Sequence, residues 1–283
     1  MSDNRKPLIM DLLRLDAARV LVVGASSGIG QAVARCAAER GAFVAVAARR
    51  ITMLEALAAE IGGTAHELDV TSPSSIAKAV AEAAEALGGI DILVVSCGVF
   101  PLARVEHVDA ATWTEAFATN TIGPALVMSA AAPHLSTDAV ILVASSDKVG
   151  RPPAGTAAHG ASKAALDEIL RSWRCEHPDL RVIRLAIGPT AGTEIMRGSD
   201  QELVAELVES WTRDGRMPEK MADVADVADM VVNLAAVGRA ADTVVPESVQ
   251  FRPRINTRLH KSRGVFELGL ELASTAGDGD WDG

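Results

Sequence analysis

Between residues 20 and 245, short apolar runs alternate with stretches of helical periodicity. The runs occupy residues 20–23, 43–47, 64–68, 92–95, 140–143, 182–187 and 243–245. Unbroken runs mark strands that are covered on both faces, because a half-solvated strand alternates apolar and polar residues instead. The helical patterns lie at residues 29–40, 53–61, 73–87, 111–132, 157–176 and 223–237. Alternation of this length implies βαβ units joined by right-handed crossovers. The expected architecture is α/β: a doubly wound, seven-stranded parallel sheet with helices on both faces, in a single domain.

That domain is expected to span residues 18–250, after an N-terminal extension of residues 1–17. Residues 193–221 break the alternation with a polar insertion carrying a helix near 201–213. An insertion beside the carboxyl ends of the strands is placed to cover a ligand. A C-terminal extension, residues 251–283, begins with a basic stretch at 252–263, suited to packing on a neighbouring subunit. It ends in an acidic Gly/Asp tail around Trp281, whose composition predicts mobility.

Charge narrows the partners. The formal net charge is −10 in 283 residues. A surface this acidic argues against nucleic acid, whose phosphates need a basic face, and against an anionic membrane. Cys36, Cys97 and Cys175 show no paired spacing and the six histidines are dispersed, so neither disulfides nor a metal centre is expected. The first sixteen residues carry six charges, which interrupts any signal-peptide core, and no run is long enough to span a bilayer. The expected compartment is the cytoplasm.

The segment Gly24-Ala-Ser26-Ser27-Gly28-Ile29-Gly30 follows the first apolar run and opens the first helix. Gly24 permits a tight exit from the strand, Gly28 lets the backbone approach a pyrophosphate, and Gly30 lets helix and strand pack closely. Free N–H groups at the helix start then face the phosphates. The pattern is that of a Rossmann dinucleotide site; the alternative is a purely structural glycine turn. The second run ends at Ala48, where a site for NAD usually carries an acid, and Arg49 and Arg50 follow. A guanidinium pair suits a 2′-phosphate, so NADP(H) is expected in preference to NAD(H). The alternative places one or both arginines on a solvated helix start. Asp69, before Val70, is a candidate acceptor for an adenine amino group or a helix cap, a role for which Ser72 competes.

Taken together, these residues resemble the short-chain dehydrogenase/reductase family over roughly residues 18–250. The glycine loop matches, with Val23 where Thr is usual, and so do Asp69-Val70, Trp113 and Asn120 within Thr119-Asn120-Thr121. Leu142-Val-Ala-Ser145-Ser146 matches the fifth strand with its serine. Val95-Ser96-Cys97-Gly98 keeps only the glycine of the family motif, Gly98. The resemblance implies that Ser146 polarises a substrate carbonyl, Asn120 holds a water relay, and Lys163 binds ribose and tunes a tyrosine. That tyrosine is missing. Its position, thirteen residues after Ser146, holds His159, and the chain contains no tyrosine at all. Ile187-Gly188-Pro189 replaces the usual Pro-Gly, and Thr193 remains placed to touch the cofactor.

Imidazole has an unperturbed pKa of about 6.5, suited to proton exchange near neutrality. A neighbouring Lys163 disfavours imidazolium and leaves a neutral ring, a better base than acid. The expected activity is NADP(H)-dependent oxidation or reduction of an alcohol or ketone on a hydrophobic small molecule. The expected pocket is lined by Val99, Phe100, Pro101, Asp147, Lys148, Val149, Ile195, Met196 and Trp211, although Trp211 also fits a core position beside Leu207. Two alternatives stay open: a non-catalytic nucleotide-binding homologue, and a non-redox isomerase or cyclase. The small-residue helices at 111–132 and 157–176 suit a homodimer or homotetramer.

Overall fold

The computed structural model describes residues 13–253, except residues 197, 198, 219 and 242. The N-terminal residues 1–12 and the basic stretch and acidic tail beyond residue 253 lie outside the described residues.

The chain begins with β1 (Arg19–Val23), α1 (Gly28–Glu39), β2 (Phe43–Ala48), α2 (Ile51–Ile61), β3 (Thr64–Glu67), α3 (Pro73–Leu87) and β4 (Ile90–Val95). It continues through α4 (Ala110–Phe117), a π turn (Ala118–Ile122), α5 (Gly123–Ala131) and β5 (Leu135–Ser146). Then come α6 (Ala157–Glu176), β6 (Arg181–Ile187), the short β7 (Thr190–Ala191), α7 (Gln201–Arg213), the short β8 (Ala222–Asp223), α8 (Val224–Ala240) and β9 (Ser248–Phe251). Seven strands form one sheet in the order β3-β2-β1-β4-β5-β6-β9, and every pairing is parallel. β7 and β8 make a separate two-stranded ribbon.

Unbroken apolar strands produce two cores. On β1, Val20 and Val22 join one cluster with Val33, Leu54, Leu57 and Val231, while Leu21 and Val23 join the other with Ile76, Val80, Leu166 and Leu170. The pleat sends alternate residues to opposite faces, so both faces need apolar side chains and helices to cover them. The order of the strands reverses at β1, with β2 on one side and β4 on the other. A crevice therefore opens above their carboxyl ends, where ligands bind in open α/β sheets.

Two expected elements are corrected. The apolar residues 243–245 do not form the last strand; it lies at Ser248–Phe251. Val244 and Val245 are exposed, and Pro246 cannot donate a ladder hydrogen bond. β9 is an edge strand with alternating exposure, so it lacks the unbroken signature of its neighbours. The helix expected over residues 111–132 is divided by the π turn, which widens the coil at Asn120. Among the described residues no helix is long and apolar enough to cross a membrane, and no three His, Cys, Asp or Glu side chains gather as a metal site.

Candidate active site

A groove of about 700 Å³ runs above the carboxyl ends of β1, β2, β3 and β4. Its wall contains Gly24, Ser26, Ser27, Gly28, Ile29, Arg49, Arg50, Asp69, Val70, Cys97, Gly98, Val99, Phe100 and Thr193. The glycines are there because nothing larger fits. Gly24 has φ +90°, and a Cβ on it would lie 2.6 Å from the Cys97 nitrogen. A Cβ on Gly30, behind the wall, would lie 2.4 Å from the Gly24 carbonyl oxygen. The strand-to-helix turn is thereby tight, and the start of α1 points its N–H groups at the groove. These features fit a dinucleotide: a bare helix start for the pyrophosphate, with hydroxyls and guanidinium groups beyond it.

Arg50 is tied into this turn. Its Nε donates to Ser26 Oγ at 3.1 Å, its Nη2 to Ser27 Oγ at 2.6 Å, and its Nη1 to Glu194 Oε2 at 2.8 Å. Arg49 is exposed along the same wall. Asp69 does not cap α3; Ser72 does, accepting from the Ser75 N–H. The Asp69 carboxylate instead accepts from the Thr71 N–H and hydroxyl, which hold its pKa below the usual range.

Behind Gly98 lies a second cluster, organised around one backbone residue. Val99 donates its N–H to Asn120 Oδ1 at 2.8 Å, and its carbonyl oxygen accepts from Asn120 Nδ2 at 3.0 Å. The same oxygen meets His159 Nδ1 at 3.1 Å. A carbonyl can only accept, so Nδ1 is assigned the proton and Nε2 the lone pair. Asn120 Nδ2 also donates to Ser162 Oγ at 3.0 Å. Lys163 Nζ donates to the Ala144 carbonyl on β5 at 2.7 Å. Gly98 makes room for all this: a Cβ there would sit 3.1 Å from Asn120 Oδ1 and 3.5 Å from Lys163 Nζ. The spacing of α6 puts His159, Lys163 and Asp167 four residues apart on its buried face.

His159 is only 4% exposed, and the Phe100 ring packs edge-on against it at 4.5 Å between centroids. Burial, then the charges of Lys163 and Lys148, push its pKa down to about 4, against the opposing hydrogen bond to Val99. The ring is neutral at physiological pH. Burial also lowers the Lys163 pKa, opposed by Cys97 and Asp167.

The structure thus brings Asn120, His159 and Lys163 together. Ser146 ends β5, buried, its Oγ accepting from the Lys148 N–H at 3.2 Å. None of these four forms part of the groove wall; Asn120, His159 and Lys163 lie behind it, against Gly98 and Val99. Gly188 also sits away from the groove, its N–H bonded to the Phe251 carbonyl. Thr193 reaches the glycine loop, its Cγ2 3.5 Å from where a Cβ on Gly28 would lie. Of the expected pocket lining, Val99, Phe100, Pro101 and Ile195 face the groove. Asp147, Lys148, Val149, Met196 and Trp211 do not; Trp211 is a core residue whose Nε1 donates to the Ala154 carbonyl at 2.9 Å.

Sequence reading missed a buried ion pair beneath this cluster. Arg184 Nε lies 2.6 Å from Asp167 Oδ2, a charge contact without an aligned hydrogen bond. Asp167 Oδ1 accepts from Ser145 Oγ at 2.5 Å, and Arg184 Nη2 donates to the Ser146 carbonyl at 3.1 Å. The available signal was an arginine inside an apolar strand, four residues before Gly188, together with an acid one turn beyond Lys163.

Comparison with known proteins identifies the family. The sequence profile described as short chain dehydrogenase matches residues 18–203. The chain is 38% identical over 122 residues to sorbitol dehydrogenase of Cereibacter sphaeroides, covering 42% of this chain and 48% of that protein. The match therefore spans about half the length of that relative. An uncharacterized oxidoreductase of Mycobacterium tuberculosis is 30% identical over 243 residues, covering 81% of this chain and 89% of the relative. A short chain dehydrogenase from Burkholderia cenocepacia, solved in complex with NADP, superposes with a TM-score of 0.73 at 27% identity, covering 84% of this chain and 98% of that one. The parallel sheet, the glycine turn and these matches make the chain a member of the short-chain dehydrogenase family.

Proposed function

We propose that this protein is a cytoplasmic, NADP(H)-dependent oxidoreductase acting on the alcohol or ketone of a hydrophobic small molecule. The observation that carries the reading is the gathering of Asn120, His159 and Lys163 around Val99, directly behind the groove that the glycine loop borders. Arg49, in the same groove wall as Ser26, supports NADP(H) over NAD(H), since guanidinium groups and hydroxyls suit a 2′-phosphate. Phe100, Pro101 and Ile195 supply the apolar wall for the substrate.

A bound nicotinamide coenzyme supplies the hydride acceptor or donor. The chain's own residues handle the proton. With Nδ1 held by the Val99 carbonyl, the neutral His159 ring has no proton at Nε2 to donate and offers a lone pair there, a weak acceptor because its pKa is lowered to about 4. That favours alcohol oxidation, in which the substrate hydroxyl loses its proton as hydride leaves the carbon. Ser146 would hold the substrate oxygen, and Lys163 would hold ribose hydroxyls. Asn120 fixes the Val99 carbonyl that sets the tautomer.

One observation supports a second reading, nucleotide binding without turnover: Phe100 covers His159. An assay of apolar alcohols with NADP⁺, and of the matching ketones with NADPH, separates the two. Turnover by the wild type that His159→Ala abolishes supports the oxidoreductase. Coenzyme binding with no turnover on any substrate, and activity gained by His159→Tyr, supports the second. Product formed without a change in nicotinamide absorbance indicates isomerisation or cyclisation instead.

A further inference from the structure

The carboxylate of Glu194 occupies the outer side of Arg50. The three donor atoms of that guanidinium are divided between Ser26, Ser27 and Glu194, so the acid is the one negative charge in the set. All four residues stand in the groove wall, as does Arg49. The residue before Glu194, Thr193, packs over Gly28 at the start of α1. Residue 193 therefore meets the glycine turn directly, and residue 194 meets it through Arg50.

This arrangement treats two coenzymes differently. A phosphate monoester carries a charge of about −1.5 to −2 near neutrality. Reaching Arg50, it meets a carboxylate already paired there and must displace it or tolerate it. A free ribose hydroxyl is neutral and can accept or donate beside the same pair without that repulsion. Arg49 is exposed on the same wall, near enough to Asp69 to help lower its pKa but in no ion pair with it. The two arginines thus differ in role: one attracts the phosphate, while the other is moderated by the acid.

Resting on the reading that the groove binds a nicotinamide dinucleotide, we propose that Glu194 is a coenzyme-selecting residue. Its ion pair with Arg50 weakens binding of the 2′-phosphorylated coenzyme and leaves the unphosphorylated one unaffected. The Glu194 side chain is 45% exposed, so replacing it leaves the core intact. The pair is partly solvated, so the effect is moderate and sensitive to salt.

The experiment is calorimetric titration of the full chain with NADPH and, separately, with NADH. Glu194→Gln should lower the Kd for NADPH about three- to tenfold and leave that for NADH within about twofold. Glu194→Ala should do the same, and raised NaCl should shrink the difference between wild type and variant. A change of equal size for both coenzymes, or no change for either, overturns the proposal while leaving dinucleotide binding in place. Failure of the wild type to bind either coenzyme removes the functional reading, and this proposal with it.

Discussion

Asn120 grips Val99 at both ends of its backbone, accepting from the N–H at 2.8 Å and donating to the carbonyl at 3.0 Å. That carbonyl then orients His159, so a buried amide on the π turn governs a ring on α6 that it does not itself touch through a hydrogen bond. Removing the amide should loosen both. Asn120→Ala leaves the Val99 N–H without its acceptor, at a cost of about 1–3 kcal/mol in a denaturant titration. Turnover should fall further than coenzyme affinity, because the groove wall on the glycine-loop side is untouched.

Acid should destabilise the protein partly through His159. Its pKa is lowered to about 4 in the fold and is about 6.5 in the unfolded chain. Between those values the unfolded state binds the extra proton, so stability rises with pH. The contribution is fully present above pH of about 6.5 and is lost as pH falls toward about 4, by about 3 kcal/mol in total. The difference in stability between wild type and His159→Gln, measured by urea unfolding at pH 7 and pH 4.5, isolates it. An identical pH slope in both proteins would show that the ring is solvated.

Two glycines with positive φ should respond unequally to alanine. A Cβ on Gly24 would meet the Cys97 nitrogen at 2.6 Å and the Ser96 carbonyl carbon at 2.8 Å, both backbone atoms that cannot rotate away. Gly24→Ala should cost more than about 3 kcal/mol and abolish coenzyme binding. Gly150, with φ +79°, has nothing within 4 Å of its Cβ position. Gly150→Ala should cost only about 1 kcal/mol, from backbone strain alone. Thermal unfolding of the pair makes the comparison.

The Asp167–Arg184 pair should behave as a unit. Arg184→Met strands a buried carboxylate and should cost about 3–5 kcal/mol. Arg184→Met combined with Asp167→Leu removes both charges and should be less destabilised than the single Arg184 variant. Chemical denaturation of the single and double variants reads this directly. Additive losses would mean that the two charges are solvated separately.

The strand-helix alternation, the glycine turn and the His159–Lys163 spacing were legible in the chain because each depends on local order, whereas the step from Ser146 to His159 came from the family resemblance. A strand covered on both faces must be apolar throughout, a tight strand-to-helix exit needs glycine, and α6 puts residues four apart on one face. The edge strand Ser248–Phe251 was misplaced because one of its faces is open, so its residues alternate and the more apolar Val244 and Val245 drew attention instead. The π turn at Asn120 left no mark either, because it is set by packing against α6, where Thr121 Oγ1 donates to the Ser162 carbonyl, and not by local propensity.

The amino-acid order by itself determined the fold class, the glycine turn that borders the groove, and a histidine at position 159 four residues before Lys163. Only the tertiary structure decided the state and setting of that histidine: its hydrogen-bonded tautomer, its low pKa, and its cover by Phe100. It likewise decided that Arg50 is paired with Glu194, from which it is separated by 144 positions along the chain. Local patterns record which backbone conformations a segment prefers. Charge and proton affinity depend on neighbours brought in from distant segments, and those are set only when the sheet has assembled.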